Sequence, residues 1–120
     1  MAKVIVIEDE PVLRALLVEE LEDAGHHVIE ACDGAEGLHS IKSEHPDVIV
    51  SDIGMPRMDG YQLWKRLQGC PRFRETPFFF VSAYPFEQAM HAGVTINTNA
   101  YLTKPVEFDV LLERIGACNA

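Results

Sequence analysis

Short runs of apolar residues recur along the chain at intervals that fit strands. The first, Lys3–Ile7, is almost continuously apolar and β-branched, as in strands that are buried on both faces. The pattern predicts strands at residues 3–7, 27–31, 47–51, 78–81 and 100–103.

The segments between these runs carry apolar residues three or four positions apart, which predicts amphipathic helices. Pro11 opens the first helix, and Gly25 stands where a C-terminal cap belongs. Asp33 and Gly34 are predicted to form a turn. Further helices are predicted at residues 35–44, 60–68, 86–92 and 108–115. The apolar face of the first helix is predicted to contain Leu13, Leu16, Leu17 and Leu21.

Alternating strands and helices form βαβ units, so the predicted fold is α/β, a five-stranded parallel sheet with helices on both faces. This is the flavodoxin-like doubly wound arrangement, for which the strand order would be 2-1-3-4-5. Open sheets of this kind bind ligands beyond the carboxyl ends of their strands. The residues that directly follow each strand are therefore the first candidates for function.

Size and composition fit one domain over residues 1–120. Of the 120 residues, 48% are apolar, which is enough for a single core. The longest apolar runs are far too short to cross a bilayer, and no secretory signal region precedes the first strand. A cytoplasmic location without membrane contact is the resulting expectation.

Charge and cysteine content exclude several classes of function. The chain has 10 Lys and Arg residues against 19 Asp and Glu residues, a net charge of −9 that opposes direct nucleic acid binding. The three cysteines lack C-x-x-C spacing and are expected to be reduced thiols. The five histidines show no metal-ligand spacing.

Chemically distinctive side chains follow four of the five predicted strands. They are Glu8 and Asp9 after the first strand, Asp52 after the third, Ser82 after the fourth and Lys104 after the fifth. With the strand order 2-1-3-4-5, these strands are neighbours, and the five side chains converge at one edge of the sheet.

A cluster of three carboxylates needs a cation or a proton. At an effective dielectric constant of about 20, two carboxylates ~4 Å apart repel each other by roughly 4 kcal/mol. Oxygen ligands without thiol or imidazole favour Mg²⁺, with Mn²⁺ as a substitute. Lys104 and one divalent ion would neutralise Glu8, Asp9 and Asp52.

Asp52 is the predicted nucleophile, because it stands alone on the central strand while Glu8 and Asp9 resemble metal ligands. Lys104 would stabilise charge on a transferred phosphoryl group, and Ser82 could donate a hydrogen bond to it. Simpler roles stay open for single residues. Asp9 could cap the first helix, and Ser82 and Lys104 could be ordinary loop residues.

These residues resemble the receiver domain of bacterial two-component response regulators. The resemblance extends over residues 3–115, and its most specific segments are residues 6–11, 51–60, 81–83 and 101–105. It implies that Asp52 accepts a phosphoryl group from a phosphohistidine of a sensor histidine kinase or a phosphotransfer protein. It also implies that Glu8 and Asp9 hold Mg²⁺ together with the backbone carbonyl of Gly54.

The resemblance further implies a conformational switch. Ser82 would be the switch hydroxyl, Tyr101 the switch aromatic and Lys104 the phosphoryl contact, followed by a cis bond to Pro105. The face formed by the fourth helix, the fifth strand and the fifth helix would then change its packing. That face would control an output domain or a downstream protein, and it could also form a homodimer.

Some positions depart from the pattern of the family. Glu8 replaces the more usual aspartate, and Gly54 offers no side chain two residues after Asp52. The bulky Tyr84, two residues after Ser82, is predicted to shield the acyl phosphate from water. The polar, β-branched segment 94–99 predicts a short fourth helix followed by irregular structure.

Two other classes of protein share parts of this pattern. A small magnesium-dependent phosphohydrolase with an aspartyl intermediate would want a second acid shortly after Asp52, where Gly54 stands. A flavin-binding electron carrier would need a phosphate-cradling loop after the first strand, but Glu8, Asp9 and Glu10 would repel a phosphate there.

Overall fold

A computed structural model describes residues 2–55, 57–84 and 100–118. The five strands are β1 (Lys3–Ile7), β2 (His27–Ala31), β3 (Val48–Asp52), β4 (Phe78–Ser82) and β5 (Tyr101–Thr103). The described helices are α1 (Pro11–Asp23), α2 (Gly34–Glu44), α3 (Gly60–Gln68) and the C-terminal helix, Phe108–Cys118. The helix predicted at 86–92 and the irregular segment 94–99 lie outside the described residues.

The strands form one parallel sheet in the order β2-β1-β3-β4-β5, as predicted. The order reverses between β1 and β3, so the carboxyl ends of these two strands form the crevice where α/β sheets bind ligands. Strand bounds differ from the predicted ones by one residue at most, and Asp52 and Ser82 are the last residues of β3 and β4.

Alternating side chains of the strands enter two separate cores. Ile5, Ile7 and Ile49 pack on the side of the sheet that α2 and α3 cover. Val4 and Val6 point to the opposite side, against α1 and the C-terminal helix. The near-continuous apolar sequence of β1 therefore reflects a strand with both faces buried.

The predicted apolar face of α1 is partly wrong. Leu17 and Leu21 are buried, whereas Leu16 is 44% exposed and its neighbour Val12 is 68% exposed. The apolar stripe is wider than the part of the helix that contacts the sheet, and periodicity alone cannot show where that contact ends. Gly25 follows the helix with φ +93°, the left-handed conformation of a glycine after a helix C-terminus.

Asp33 and Gly34, predicted as a turn, start α2. The Asp33 carboxylate accepts a hydrogen bond of 2.8 Å from the amide of Glu36 and so caps the helix. Asp59 and Gln62 form a capping box at the start of α3. In the part of the chain that is described, no helix is both long and apolar enough to span a membrane.

Candidate functional site

The carboxyl ends of β1, β3 and β5 bring two carboxylates and one ammonium into contact. Nζ of Lys104 lies 3.1 Å from Oδ2 of Asp52 and 3.2 Å from Oε1 of Glu8. Glu8, Asp9 and Asp52 each present a carboxylate oxygen, and these three atoms lie within 4.8 Å of one another. The predicted convergence of these four residues is therefore present in the fold.

Asp52 is held rigidly at the end of the central strand. The amide of Ile53 donates a 2.7 Å hydrogen bond to Oδ1, and Lys104 donates to Oδ2. Asp52 is 7% exposed, so its carboxylate is almost enclosed but can still be reached from solvent. Gly60 packs directly against the strand end, because a Cβ there would lie 2.3 Å from the carbonyl oxygen of Asp52.

Glu8 is the most buried acid of the site, with 1% of its surface exposed. Its Oε2 accepts a 3.2 Å hydrogen bond from the amide of Glu10. Burial, followed by the negative charge of Asp52, raises the pKa of the Glu8 carboxyl to about 7, against the opposing effects of the Glu10 amide and Lys104.

Lys104 occupies the loop after β5, and its amide donates a 2.7 Å hydrogen bond to the carbonyl of Ser82. The peptide bond between Lys104 and Pro105 is cis, as the sequence resemblance implied. Burial opposes the charged form of Lys104, but the hydrogen bond and charge of Asp52, and then the charge of Glu8, outweigh it and raise the pKa of the ammonium.

Asp9 is exposed, and it does not cap α1. The N-cap residue of that helix is Glu10, and no side chain makes a capping hydrogen bond there. The simpler interpretation of Asp9 as a helix cap is thus wrong. Its carboxylate instead joins those of Glu8 and Asp52.

Ser82 and Tyr101 meet at the start of the loop after β4. Oγ of Ser82 accepts a 3.1 Å hydrogen bond from the amide of Tyr84, and the hydroxyl of Tyr101 donates a 2.6 Å hydrogen bond to the carbonyl of Tyr84. Tyr101 is 5% exposed, and burial raises the pKa of its hydroxyl, as does the charge of Asp52 despite a hydrogen bond with Ser82. Both side chains thus hold the same short segment of backbone.

Tyr84 and Gly54 leave the outer side of the site open. The Tyr84 side chain is 59% exposed. Gly54 is exposed as well, and a Cβ built on it would meet no atom within 4 Å. These two described positions are therefore accessible from solvent.

Two ion pairs beside the site escaped the sequence-based prediction. Arg14 of α1 contacts both Glu30 and the backbone carbonyl of Glu8. Arg57, in a left-handed conformation with φ 68°, forms a 2.8 Å ion pair with the buried Asp33. The sequence signal for the first pair was weak. Arg14 is a basic residue in the first turn of the helix that follows Glu8 and Asp9, and basic residues at such positions are common.

The donor set fits a hard divalent cation. The three ligand atoms of this cluster are carboxylate oxygens, which Mg²⁺ prefers. Oε1 of Glu8 is buried and receives no hydrogen bond of acceptable geometry from the described residues, although Lys104 lies 3.2 Å away. Glu8, Asp9 and Asp52 are thus the residues that would hold the metal ion.

Comparisons with known proteins identify the class. The family model described as "Response regulator receiver domain" matches residues 4–116. Protein PilG of Pseudomonas aeruginosa is 37% identical over 117 residues, which covers 96% of this chain and 85% of PilG. Protein PilH of the same organism is 32% identical over 117 residues, which covers 98% of this chain and 97% of PilH.

A solved structure, that of the chemotaxis protein CheY4 from Vibrio cholerae, superposes with a TM-score of 0.87. It shares 29% sequence identity, and the superposition covers 98% of both chains. The chain therefore belongs to the response regulator receiver domain family of two-component systems, as the sequence motifs indicated.

Proposed function

We propose that residues 1–120 form a phosphoryl-accepting receiver domain in which Asp52 takes the phosphoryl group in a Mg²⁺-dependent reaction. The observation that carries this proposal is the contact of Lys104 with Asp52 and Glu8 inside a cluster of three carboxylates. The donor is a phosphohistidine on a sensor histidine kinase or a phosphotransfer protein, and the setting is the cytoplasm.

Asp52 acts as the nucleophile. One of its carboxylate oxygens forms a bond to phosphorus while the bond from phosphorus to the imidazole nitrogen breaks, and the imidazole leaves with that electron pair. The hydrogen bonds from Ile53 and Lys104 orient the carboxylate before the donor arrives. This fixed orientation lowers the entropic cost of reaching an in-line geometry.

Lys104 and the metal ion would both offset negative charge at the site. Bound Mg²⁺ supplies positive charge that offsets the carboxylates and the incoming phosphoryl oxygens. Lys104 stays protonated because Asp52 and Glu8 raise its pKa, so it can donate to a phosphoryl oxygen once Asp52 is modified. Glu8, Asp9 and Asp52 would hold the metal, and the backbone carbonyl of Gly54 would be a further ligand.

Ser82 and Tyr101 form the switch. The phosphoryl group adds negative charge and new acceptor oxygens next to the end of β4. Ser82 then rotates its hydroxyl towards these oxygens and gives up its bond to the amide of Tyr84. The Tyr84 backbone, which Tyr101 also holds, carries the change to the face that β5 and the C-terminal helix form with the helix predicted at residues 86–92.

That face is the part of the domain that would act on an output domain, on a downstream protein or on a second copy of the chain. The acidic composition argues against direct contact with nucleic acid or with a membrane surface. The phosphohydrolase alternative is not favoured. It needs a second acid near Asp52, and the position two residues later is Gly54 with open space around it.

The proposal is tested by incubating the protein with Mg²⁺ and a small acyl phosphate and measuring its intact mass. The wild type should gain one phosphoryl group, and Asp52→Asn should gain none. Asp47→Asn is the matched control, since Asp47 is a carboxylate at the opposite end of β3, bonded to the amide of Lys3. A wild type that stays unmodified, or a modified Asp52→Asn variant, would contradict the proposal.

A further inference from the structure

The side chain of Arg14 reaches from α1 back to the end of β1. Its Nη1 donates a 2.8 Å hydrogen bond to the backbone carbonyl of Glu8, and its Nε donates a 3.2 Å hydrogen bond to Oε1 of Glu30. The guanidinium is 22% exposed, whereas the Glu30 side chain is 54% exposed. Nη1 of Arg14 thus bonds to the backbone of the loop that carries the acidic residues, and Nε bonds to Glu30 at the protein surface.

The carbonyl of Glu8 belongs to the peptide group that joins Glu8 to Asp9. The register of β1 ends at Ile7, where Ile7 pairs with Ala31 and with Ser51. Beyond that point the amide of Glu8 still donates to the carbonyl of Ala31. The carbonyl of Glu8, however, takes its hydrogen bond from Arg14.

The Glu8 side chain is fixed by separate contacts. Its Oε2 accepts from the amide of Glu10, and its Oε1 lies 3.2 Å from Lys104. The Asp9 side chain is exposed, and no residue in the described part of the chain donates a hydrogen bond to its carboxylate. The orientation of the peptide group before Asp9 therefore limits the positions that its carboxylate can reach.

We propose that Arg14 is a positioning residue for the acidic cluster: by holding the carbonyl of Glu8, it fixes the backbone that presents Asp9 to the metal. The inference rests on the proposed function in so far as the cluster binds Mg²⁺. Groups that orient metal ligands commonly change metal affinity ten- to a hundredfold when they are lost. Arg14 acts through a backbone carbonyl, so its effect belongs at the lower end of that range.

A purely electrostatic role for Arg14 predicts the opposite sign. A fixed positive charge beside the cluster repels a cation, so removing it would tighten Mg²⁺ binding. Glu30 lies against the guanidinium and offsets most of that charge. The direction of the change in affinity therefore separates positioning from simple charge.

The first experiment measures Mg²⁺ binding by titration calorimetry for the wild type and four variants. Arg14→Met should raise the dissociation constant about tenfold. Arg14→Lys should have a smaller effect than Arg14→Met, because the ammonium can still donate to the carbonyl of Glu8. It cannot also bridge to Glu30, so some effect should remain. Glu30→Gln leaves the hydrogen bond from Arg14 to the carbonyl of Glu8 in place, so it should change the dissociation constant for Mg²⁺ about twofold or less.

The matched control is Arg74→Met. Arg74 also donates to a backbone carbonyl, that of Gln68 at 3.1 Å, but it lies in the loop before β4, at the opposite end of the sheet. Arg74→Met should leave Mg²⁺ affinity unchanged. Unchanged or tighter binding by Arg14→Met would overturn the inference.

A second measurement tests the role of Arg14 in the absence of metal. Amide hydrogen exchange in chelator should be faster at residues 8–10 in Arg14→Met than in the wild type, and Glu30→Gln should exchange like the wild type. Equal rates in Arg14→Met would overturn the inference. A wild type that fails to bind Mg²⁺ would instead overturn the proposed function, and hydrogen exchange would still decide the role of Arg14.

Discussion

The two ends of the sheet use polar side chains in opposite ways. At the amino ends of β1 and β3, the polar groups that the structure describes form separate pairs. The amide of Lys3 donates to Asp47, its ammonium donates to the carbonyl of Glu44, and the amide of Ala2 donates to Nδ1 of His26. At the carboxyl ends, one ammonium serves two carboxylates, with a third close by.

This difference separates contacts that serve stability from those that serve function. A balanced set of exposed partners at the amino ends closes the sheet with little electrostatic strain. At the carboxyl ends, buried carboxylates outnumber the ammonium groups. This imbalance lowers the stability of the fold and leaves a deficit of positive charge. A metal ion can remedy that deficit, and the four predictions below test the contrast, beginning with the largest expected effect.

Gly60→Ala should be the most damaging single change at the carboxyl end. Its new Cβ would lie 2.3 Å from the backbone oxygen of Asp52, so the start of α3 or the end of β3 must shift. We expect the free energy of unfolding to fall by about 3 kcal/mol in urea titrations. Phosphorylation of Asp52 should become slower as well.

Gly25→Ala is the counterpart at the amino end of β2. No atom lies within 4 Å of the added Cβ, so only the left-handed backbone with φ +93° opposes the change. Its cost should be about 1 to 2 kcal/mol, without any effect on phosphorylation. Equal losses of stability and activity for the two variants would contradict the contrast.

Lys104→Met should destabilise the protein in chelator at pH 8 by about 2 kcal/mol, because it leaves Asp52 and Glu8 without their shared cation. Added Mg²⁺ should recover part of this loss. Lys3→Met, which removes the exposed 3.6 Å ion pair with Glu44, should cost about 1 kcal/mol or less and should not respond to Mg²⁺. Urea titrations with and without the metal give both comparisons.

The pH dependence of stability should be visible at the carboxyl end. The pKa of Glu8 is raised from 4.5 to about 7 in the folded protein, so the folded state binds more protons than the unfolded state between these values. In chelator, the free energy of unfolding should therefore decrease by about 2 to 3 kcal/mol as the pH rises through this window.

Glu8→Gln is the control for this slope. The amide cannot ionise, so the contribution of Glu8 to the slope should vanish and the metal-free variant should be more stable than the wild type at pH 8. A slope that is the same in wild type and variant would show that other groups cause it. The expected gain in stability means that the ionised Glu8 lowers the stability of the metal-free protein, although the site needs it.

Tyr84→Ala should have the smallest effect, on the lifetime of the phosphoryl group. The Tyr84 side chain is 59% exposed beside the open side of the site, so it can shield the acyl phosphate only in part. We expect hydrolysis to accelerate about two- to fivefold, as followed by intact mass over time. An unchanged lifetime would exclude the shielding role that the sequence suggested.

Much of the fold could be predicted from periodicity. β1 and β3 are runs of apolar residues with both faces buried, and the spacing of Leu17 and Leu21 identified the buried face of α1. The error at Leu16 has a physical reason, since an apolar residue next to the contact face continues the pattern without being covered. Asp33 was assigned to a turn because a helix N-cap uses the same residue types.

The composition of the site was also present in the sequence. Glu8, Asp9, Asp52 and Lys104 follow strands, and the fold type places those strand ends together. The strand ends, together with the strand order inferred from the fold type, therefore predicted which charges would meet. The deficit of positive charge that this meeting creates followed from counting the groups.

Only the tertiary structure showed how these groups are held. The amide of Ile53 fixes Asp52, Gly60 closes over the strand end, and Arg14 holds the carbonyl of Glu8. These contacts join residues that are close in the sequence, but they form only when strand ends, loops and helices pack correctly to within a few tenths of an ångström. Residue type and periodicity determine which elements form, but close packing between them decides the orientation of each carboxylate.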